Sequence, residues 1–310
     1  MSNIHSHPDV MSIRDIAEAP RPVARRAVVV GVDGSERNRA AIRWATHEAE
    51  ASGRPLRLLC VLDDEVPLQQ HPAATETDQN WTVLSQLAGD IARDHPELSV
   101  THEMAAGGSI SALLDRSAEQ GLIVVGKRGL GTFARLLIGS TSIGVAGRSR
   151  VPAVVVPDTW EQDQHRHEPV VIGLDPGDGH TEALTYAFAE ARRRGVRLIV
   201  AQGWEPRAVL MRDPAAVSRD IADWKKHCTS RLRDAVAPVR SAFPGIHVEL
   251  APHHGHPATV LLDVAASAQL LVLGRHDDGR LGGFPFGSVT RSVLHHADVP
   301  VVVVPSGGNR

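Results

Sequence analysis

The most constraining feature of this sequence is an internal repeat. The segment Val28–Gly34 (VVVGVDG) returns 142 residues later as Val170–Pro176 (VVIGLDP), and further along Gly126 matches Gly274 at an offset of 148. The change in offset from 142 to 148 indicates a six-residue insertion in the middle of the second copy. Because the register holds at both ends, the sequence predicts two domains of one fold in tandem.

Within each copy, short apolar runs alternate with segments of helical periodicity. The predicted strands lie near 27–32, 56–61, 98–104, 121–125 and 152–156, and again near 169–174, 197–202, 246–250, 269–273 and 299–304. Most of these runs are continuous in Val, Ile and Leu, which is typical of strands covered on both faces. The alternation predicts an α/β fold in which each copy forms an open, parallel, five-stranded sheet with helices on both faces.

The domain boundaries follow from composition. Residues 1–25 contain Pro, His and Ser with little apolar periodicity, and we interpret them as a flexible tail. The first copy is predicted to span 26–158 and the second 169–306. The polar segment 159–168 between them is interpreted as a linker.

Charge and composition argue against nucleic acid, a disulfide framework and a membrane span. The net charge is −3 over 310 residues, so no basic field is available for nucleic acid, and we expect none to bind. The chain has two cysteines, Cys60 and Cys228, which are too few for a disulfide framework and lack a CxxC spacing. No apolar stretch approaches the roughly 18 residues of a membrane span, and the N-terminus lacks a signal core. We therefore expect a cytoplasmic protein without membrane contact.

A glycine-rich loop follows the fourth predicted strand of the first copy. It begins with Gly126–Gly129 (GKRG) and continues, ten residues after Gly129, with Gly139–Ser142 (GSTS) at the start of a helical segment. Glycines allow backbone N–H groups to approach a phosphate, and a helix N-terminus favours its negative charge. Lys127 and Arg128 are expected to add positive charge nearby. The loop is therefore interpreted as a phosphate-binding site.

This spacing, Gly-x2-Gly-x9-Gly-Ser, resembles the ATP-binding motif of the universal stress protein family. The resemblance covers both copies and includes Asp33 after the first strand. It implies a Rossmann-like fold of the adenine nucleotide α hydrolase type and an ATP ligand, with or without Mg²⁺. The residues that the resemblance assigns to nucleotide binding are Asp33, Val61, Gly126, Arg128, Gly129, Gly139, Ser140 and Thr141.

The second copy keeps the spacing but changes the chemistry. Asp277 stands where the motif has its second glycine, and a carboxylate about 5 Å from a phosphate charge costs on the order of 3 kcal/mol at an effective dielectric of about 20. A second, weaker site is therefore predicted. Its residues would be Asp175, Gly203, Gly274, Gly287, Ser288 and Val289.

Three other features are given a plainer interpretation. His253–His256 (HHGH) matches the HxGH signature of nucleotidylyltransferases but follows the third strand instead of the first, so catalysis is not expected there. No Cys or carboxylate completes a recognisable metal-ligand spacing with these histidines, so metal binding is not expected either. Trp44 and Trp224 are predicted to pack in the core. Arg192–Arg194 are predicted to form a solvated helix end, where cations complement the helix dipole.

The predicted function is nucleotide-dependent regulation in a stress or dormancy response, by binding and not by turnover. The alternatives are a slow ATPase or self-phosphorylating protein using Ser140 or Thr141, a nucleotide-free interaction module, and a cyclic AMP binder. The terminal strands of the two copies, near 152–156 and 299–304, are apolar edges that are predicted to pair within the chain. A homodimer and an unknown protein partner remain open.

Overall fold

A computed structural model was used to describe the fold. It describes residues 26–62, 74–129, 137–177, 180–205, 214–275 and 286–306, so the predicted tail 1–25 lies outside it. In the first copy the elements run in the order β1 Val28–Val32, α1 Arg39–Ser52, β2 Leu56–Leu62, α2 Ala74–Asp94, β3 Val100–Ala106, α3 Ser109–Ser117, β4 Leu122–Gly126, α4 Ser140–Arg148 and β5 Ala153–Val156. A short 3₁₀ helix, Glu36–Asn38, precedes α1.

The second copy repeats this order element by element. It contains β6 Val170–Gly173, α5 Thr181–Arg194, β7 Leu198–Trp204, α6 Pro214–Arg240, β8 Val248–His254, α7 Pro257–Ala265, β9 Leu270–Arg275, α8 Ser288–His296 and β10 Val301–Pro305. Helix α6 has 27 residues where α2 has 21. This difference of six residues locates the insertion that the two repeat offsets predict.

All ten strands join one continuous sheet. Its order is β3-β2-β1-β4-β5-β10-β9-β6-β7-β8, which reads as two mirrored halves meeting at β5 and β10. Neighbouring strands are parallel except β5 and β10, which pair antiparallel with Val154 opposite Val302. The predicted α/β fold, with its parallel halves and pairing of terminal strands within the chain, is confirmed.

The helices lie on the sheet through small side chains. In α1 the alanines at positions 41, 45 and 49 are fully buried, and those at 183, 187 and 191 of α5 repeat them. Residues four apart lie on one face of a helix, so these alanines form a narrow stripe that lets each helix approach the strands closely. The strands supply the larger side chains of the core, chiefly Val, Leu and Ile.

The polar segment between the copies is packed against the protein. It contains a 3₁₀ helix, Gln162–His165, and a buried tryptophan, Trp160, whose ring stacks on His165 with the centroids 4.1 Å apart. From the second copy, the Gln269 side chain donates a hydrogen bond to the carbonyl of Glu168 at 2.6 Å. The segment thus follows a defined path between the copies.

Candidate functional site

The chain reverses its direction across the sheet between β1 and β4. Strands β2 and β3 lie on one side of β1, whereas β4 and β5 lie on the other. Because these strands are parallel, their carboxyl ends share one edge, and ligands of such sheets bind in the crevice at this reversal. Asp33 directly follows β1, Val61 is the penultimate residue of β2 and Gly126 is the last residue of β4. The structure thus collects three predicted site residues at one edge.

Gly129 lies against the carboxylate of Asp33. A Cβ atom added at Gly129 would come within 2.5 Å of the Asp33 Oδ2 atom, closer than any side chain could be accommodated without displacing the carboxylate. The other carboxylate oxygen of Asp33 accepts a hydrogen bond from the backbone N–H of Ser35 at 2.9 Å. The glycine of the fourth strand's loop and the aspartate of the first strand therefore form one wall of the crevice.

The start of α4 is attached to the end of β4. The backbone N–H of Gly139 donates to the carbonyl of Lys127 at 2.8 Å, and the Ser142 hydroxyl donates to the carbonyl of Gly126 at 2.6 Å. These bonds bring the two glycine segments of the motif, which are ten residues apart in sequence, to the same place. The site therefore combines a glycine turn with a helix N-terminus, the arrangement that favours a phosphate group.

Two hydroxyls stand at the first turn of α4. The Ser140 side chain is exposed and that of Thr141 is half-buried, whereas the Gly139 backbone is extended with φ −77° and ψ 150°. The helix has nine residues, and its N-cap residue, Gly139, has no side chain that could form a cap hydrogen bond. Oxygen groups of a bound anion can accept hydrogen bonds at this helix end.

Arg128 is paired with a carboxylate of the same copy. Its Nη2 atom lies 2.8 Å and 2.6 Å from the two carboxylate oxygens of Asp158, which follows β5. Burial alone would raise the pKa of Asp158, but the hydrogen bond and charge of Arg128 outweigh it, so the pKa is lowered. The ion pair ties the glycine segment to the end of β5.

The Lys127 side chain points to the other copy. Its Nζ atom donates a hydrogen bond of 2.8 Å to the carbonyl of Ala297, the residue that directly follows α8. Lys127 is only 9% exposed, and burial lowers the pKa of its ammonium group, while Asp298 counteracts this. The ammonium group of Lys127 therefore contacts the second copy at the interface.

The corresponding site of the second copy differs at the end of β7. A Cβ atom added at Gly203, the counterpart of Val61, would lie 2.4 Å from Pro257 Cα at the start of α7. A valine side chain therefore cannot occupy this position, which explains the glycine. Asp277 lies outside the described residues, so the structure does not address its predicted repulsion of phosphate.

The other predicted residues of the second copy have few neighbours among the described residues. Asp175, Gly287 and Ser288 are exposed and Val289 is half-buried. Within the described part of the chain, a Cβ at Gly274 would meet Ala183 at 3.4 Å, and a Cβ at Gly287 would meet no atom within 4 Å. By comparison, the Gly126 position is lined by Arg128 and Asn38.

The sequence matches the model of the universal stress protein family twice, over residues 24–157 and 167–305. The chain belongs to the universal stress protein family. Universal stress protein Rv2005c of Mycobacterium tuberculosis is 31% identical over 293 residues, covering 91% of this chain and 98% of the relative. Another protein of this species, Universal stress protein Rv1996, is 27% identical over 299 residues and covers 89% and 94%.

A solved structure that covers most of the chain shows the same fold. A universal stress protein from Archaeoglobus fulgidus superimposes with a TM-score of 0.66 at 20% identity, covering 92% of this chain and 97% of that one. A universal stress protein solved in complex with cAMP is 26% identical and covers 46% of this chain, with a TM-score of 0.37. Among the described residues of this universal stress protein, no helix combines the length and apolar character that a membrane span requires.

Three residues of the site were not predicted from the sequence. Asn38 is buried beside Gly126, the last residue of β4, and its side chain donates a hydrogen bond of 3.1 Å to the carbonyl of Gly31 in β1. Ser142 and Asp158 hold the glycine segments as described above. The Ser-Thr-Ser run after Gly139 was a signal for Ser142, but no local pattern distinguishes Asn38 or Asp158 from ordinary turn residues.

Proposed function

We propose that the first copy of this universal stress protein binds ATP, and that the chain acts in a cytoplasmic stress or dormancy response by ligand-dependent binding and not by turnover. The observation that carries the proposal is the contact of Gly129 with the Asp33 carboxylate beside the start of α4. This crevice contains an acceptor at one end and a helix N-terminus at the other, which matches the two ends of a nucleotide.

The two ends differ in the groups that they can hold. A carboxylate accepts hydrogen bonds from ribose hydroxyls and repels phosphates, so Asp33 is assigned to the ribose. Gly126 and Gly139 leave room for phosphate oxygens close to the backbone, and Ser140 and Thr141 can donate to them, whereas Gly129 leaves room for the Asp33 carboxylate on the ribose side. The backbone at Val61 is assigned to the adenine, at the end of β2.

The phosphate charge is balanced without Lys127. That ammonium group is buried against Ala297, and Arg128 is bidentate on Asp158. The remaining positive potential comes from the start of α4, to which Mg²⁺ bound with ATP adds. Release of Arg128 from Asp158 would supply a further cation, at the cost of that ion pair. The second copy is proposed to bind the same nucleotide more weakly, through Asp175, Gly203, Gly274, Gly287, Ser288 and Val289.

Calorimetric titration with ATP and magnesium tests the proposal on a matched pair of variants, Gly139→Asp and its counterpart Gly287→Asp. Both positions are helix N-caps with extended backbone, where aspartate is a favoured residue, so both variants should fold. A carboxylate about 5 Å from a phosphate costs roughly 3 kcal/mol, which is about a hundredfold in affinity. We expect the tight site to disappear in Gly139→Asp and to remain in Gly287→Asp.

Several outcomes would overturn the assignment. Unchanged binding in Gly139→Asp refutes the first site, and a wild-type protein that binds neither ATP nor cyclic AMP, and is purified without nucleotide, is an interaction module. Tighter binding of cyclic AMP than of ATP changes the ligand but keeps the site.

The exposed Ser140 hydroxyl at the helix start supports one second candidate, self-phosphorylation or slow ATP hydrolysis. Prolonged incubation with ATP and magnesium separates it from binding alone. Mass spectrometry would reveal phosphate on Ser140 or Thr141, and a phosphate-release assay would reveal turnover. If neither product forms, the enzymatic alternative is excluded.

A further inference from the structure

Two basic side chains, one from each copy, donate hydrogen bonds to the other copy at equivalent positions. Lys127 donates to the carbonyl of Ala297 at 2.8 Å, and Arg275 Nη1 donates to the carbonyl of Ser149 at 2.7 Å. Lys127 and Arg275 are counterparts at the repeat offset of 148, and so are Ser149 and Ala297. The two contacts are therefore one contact made twice, once in each direction.

Each acceptor is the carbonyl of the residue that directly follows a helix, and each of these helices begins at a candidate phosphate site. Helix α4 starts after Gly139 in the first copy and is capped at its C-terminus by Ser149, and α8 starts after Gly287 and is capped by Ala297. Each helix has nine residues, a length of about 13 Å. A cation at the C-terminal end of a helix interacts favourably with its dipole. Each copy thus holds the far end of the other copy's phosphate-site helix.

The backbone of Lys127 also contacts the start of α4, the helix of its own copy. The carbonyl of Lys127 accepts the hydrogen bond of the Gly139 N–H at 2.8 Å, while the Lys127 N–H donates to the carbonyl of Val156 at 2.7 Å. A displacement of the first glycine segment by a ligand therefore moves the backbone that carries the Lys127 side chain. Because a buried ammonium group needs its acceptor, that movement acts on the end of α8.

We propose that Lys127 and Arg275 are positioning residues that couple the two phosphate sites, so that occupancy of one copy changes the affinity of the other. The coupling of ATP affinities rests on the proposed function, which assigns ATP to the phosphate sites. The hydrogen bonds that link the two copies do not depend on it. Coupling of this kind is reciprocal for binding free energies. Both directions are therefore open to measurement.

The first test replaces a residue of the second copy and measures ATP affinity in the first. In Arg275→Met we expect ATP with magnesium to bind the Gly139-dependent site about fivefold to tenfold more weakly, the lower range of typical coupling. Arg275→Lys should restore most of the affinity, because the first copy uses lysine at this position. Arg197→Met is the matched control, since Arg197 is half exposed and is paired with Glu249 within its own copy.

The second test needs no ligand and follows amide hydrogen exchange in the free protein. The Ser149 N–H, bonded to Val145, reports on the end of α4, and the Gly139 N–H, bonded to Lys127, reports on the phosphate site. In Arg275→Met we expect faster exchange at both amides. Faster exchange at Ser149 alone, with ATP affinity unchanged, would show a purely local cap and overturn the coupling.

The two tests separate this inference from the proposed function. If the wild-type protein binds no ATP, the proposed function fails, and the exchange at Gly139 alone decides the coupling. Lys127→Met and Lys127→Arg repeat the comparison in the opposite direction. Faster exchange at the Ala297 N–H, which is bonded to Val293, in Lys127→Met but not in Lys127→Arg supports the link. Equal exchange in both variants and the wild type contradicts it.

Discussion

Gly129 lies so close to Asp33 that the site has little room for a side chain at this position. Its Cα faces the Asp33 carboxylate so closely that a Cβ would lie 2.5 Å from an oxygen. Glycine at this position therefore leaves the Asp33 carboxylate in its observed place, in addition to leaving the backbone accessible. Any side chain would displace the acceptor that we assign to the ribose.

Replacing Gly129 with alanine should accordingly weaken ATP binding while leaving the protein folded. A displaced Asp33 loses its hydrogen bond to a ligand hydroxyl, which is worth about 1.5–3 kcal/mol when one partner is charged, or roughly tenfold to a hundredfold in affinity. Gly89→Ala is the control, because Gly89 lies within α2 and no atom of the described residues lies within 4 Å of its Cβ position. Equal ATP affinities in the two variants, measured by calorimetry, would contradict the role of this contact.

At the scale of elements, the pairing of β5 with β10 determines how the two copies join. Both are short strands of buried valines, and as free edges they would invite association with other chains. Antiparallel pairing satisfies both edges and places them at the centre of the ten-stranded sheet. The outer edge strand β8 contains Pro252 within its pairing with β7, a residue that sheets tolerate at edges.

A charge at this central pair should separate the copies or unfold the chain. Val302 is fully buried opposite Val154, so Val302→Asp leaves a carboxylate without a partner and should lower the free energy of unfolding by at least about 3 kcal/mol. Val83→Asp, on the exposed face of α2, is the matched control and should change it by less than about 0.5 kcal/mol. Urea unfolding measures both, and similar midpoints would refute the strand contact.

At the scale of the whole molecule, a buried charge cluster joins the helices α1 and α5 across the pseudo-two-fold. Glu48 and Glu190 are counterparts at the offset of 142, and both are nearly inaccessible. Among the described residues, the arginines paired with them come from α5: Arg193 and Arg194 lie 2.6 Å and 2.8 Å from Glu48. Their counterparts in the first copy are Ala51 and Ser52.

This cluster is asymmetric although the fold is nearly symmetric. Two first copies facing each other would bring two buried glutamates together without an arginine, whereas the natural pair balances two negative with two positive charges. The cluster lines a polar cavity of about 290 Å³ at the interface. The charge pattern thus favours the pairing of a first copy with a second copy, the arrangement found within this chain.

The cluster should also make stability depend on pH. Burial and then the charge of Glu190 raise the pKa of Glu48 above 4.5, although the arginines oppose this. The folded state therefore binds a proton more tightly than the unfolded state, and this contribution to stability is lost as the pH rises through the folded pKa. In wild type, the free energy of unfolding should fall above pH 4.5 by up to about 1.4 kcal/mol per unit from this group.

Glu48→Gln should remove that contribution and flatten the dependence. Urea unfolding between about pH 4.5 and 7 measures the slope, and Glu50→Gln, at a half-exposed neighbour paired with His95, is the control. If wild type and Glu48→Gln have parallel curves, the pKa of Glu48 in the folded state is not raised.

Much of the fold and part of the site could be predicted because their signals are local. The repeat, the continuous apolar runs and the helical periodicity identify the strands and helices near their observed bounds, and the burial of Trp44 was predicted correctly. The prediction failed where burial depends on a distant element. Trp224 is 45% exposed on α6, contrary to the predicted core position, and Arg193 and Arg194 are in the interface cluster and not at a solvated helix end.

The sequence by itself determined the duplication, the α/β class and the glycine spacing, since each is a pattern of neighbouring residues that needs no partner elsewhere. Only the tertiary structure decided where the charges go. Lys127 finds its acceptor 170 positions away in the other copy, and Arg128 finds Asp158 after a different strand. A long charged side chain is flexible, and the chain contains many carboxylates and carbonyls that could accept its hydrogen bonds. The packing of the two copies determines which of these groups lies within reach.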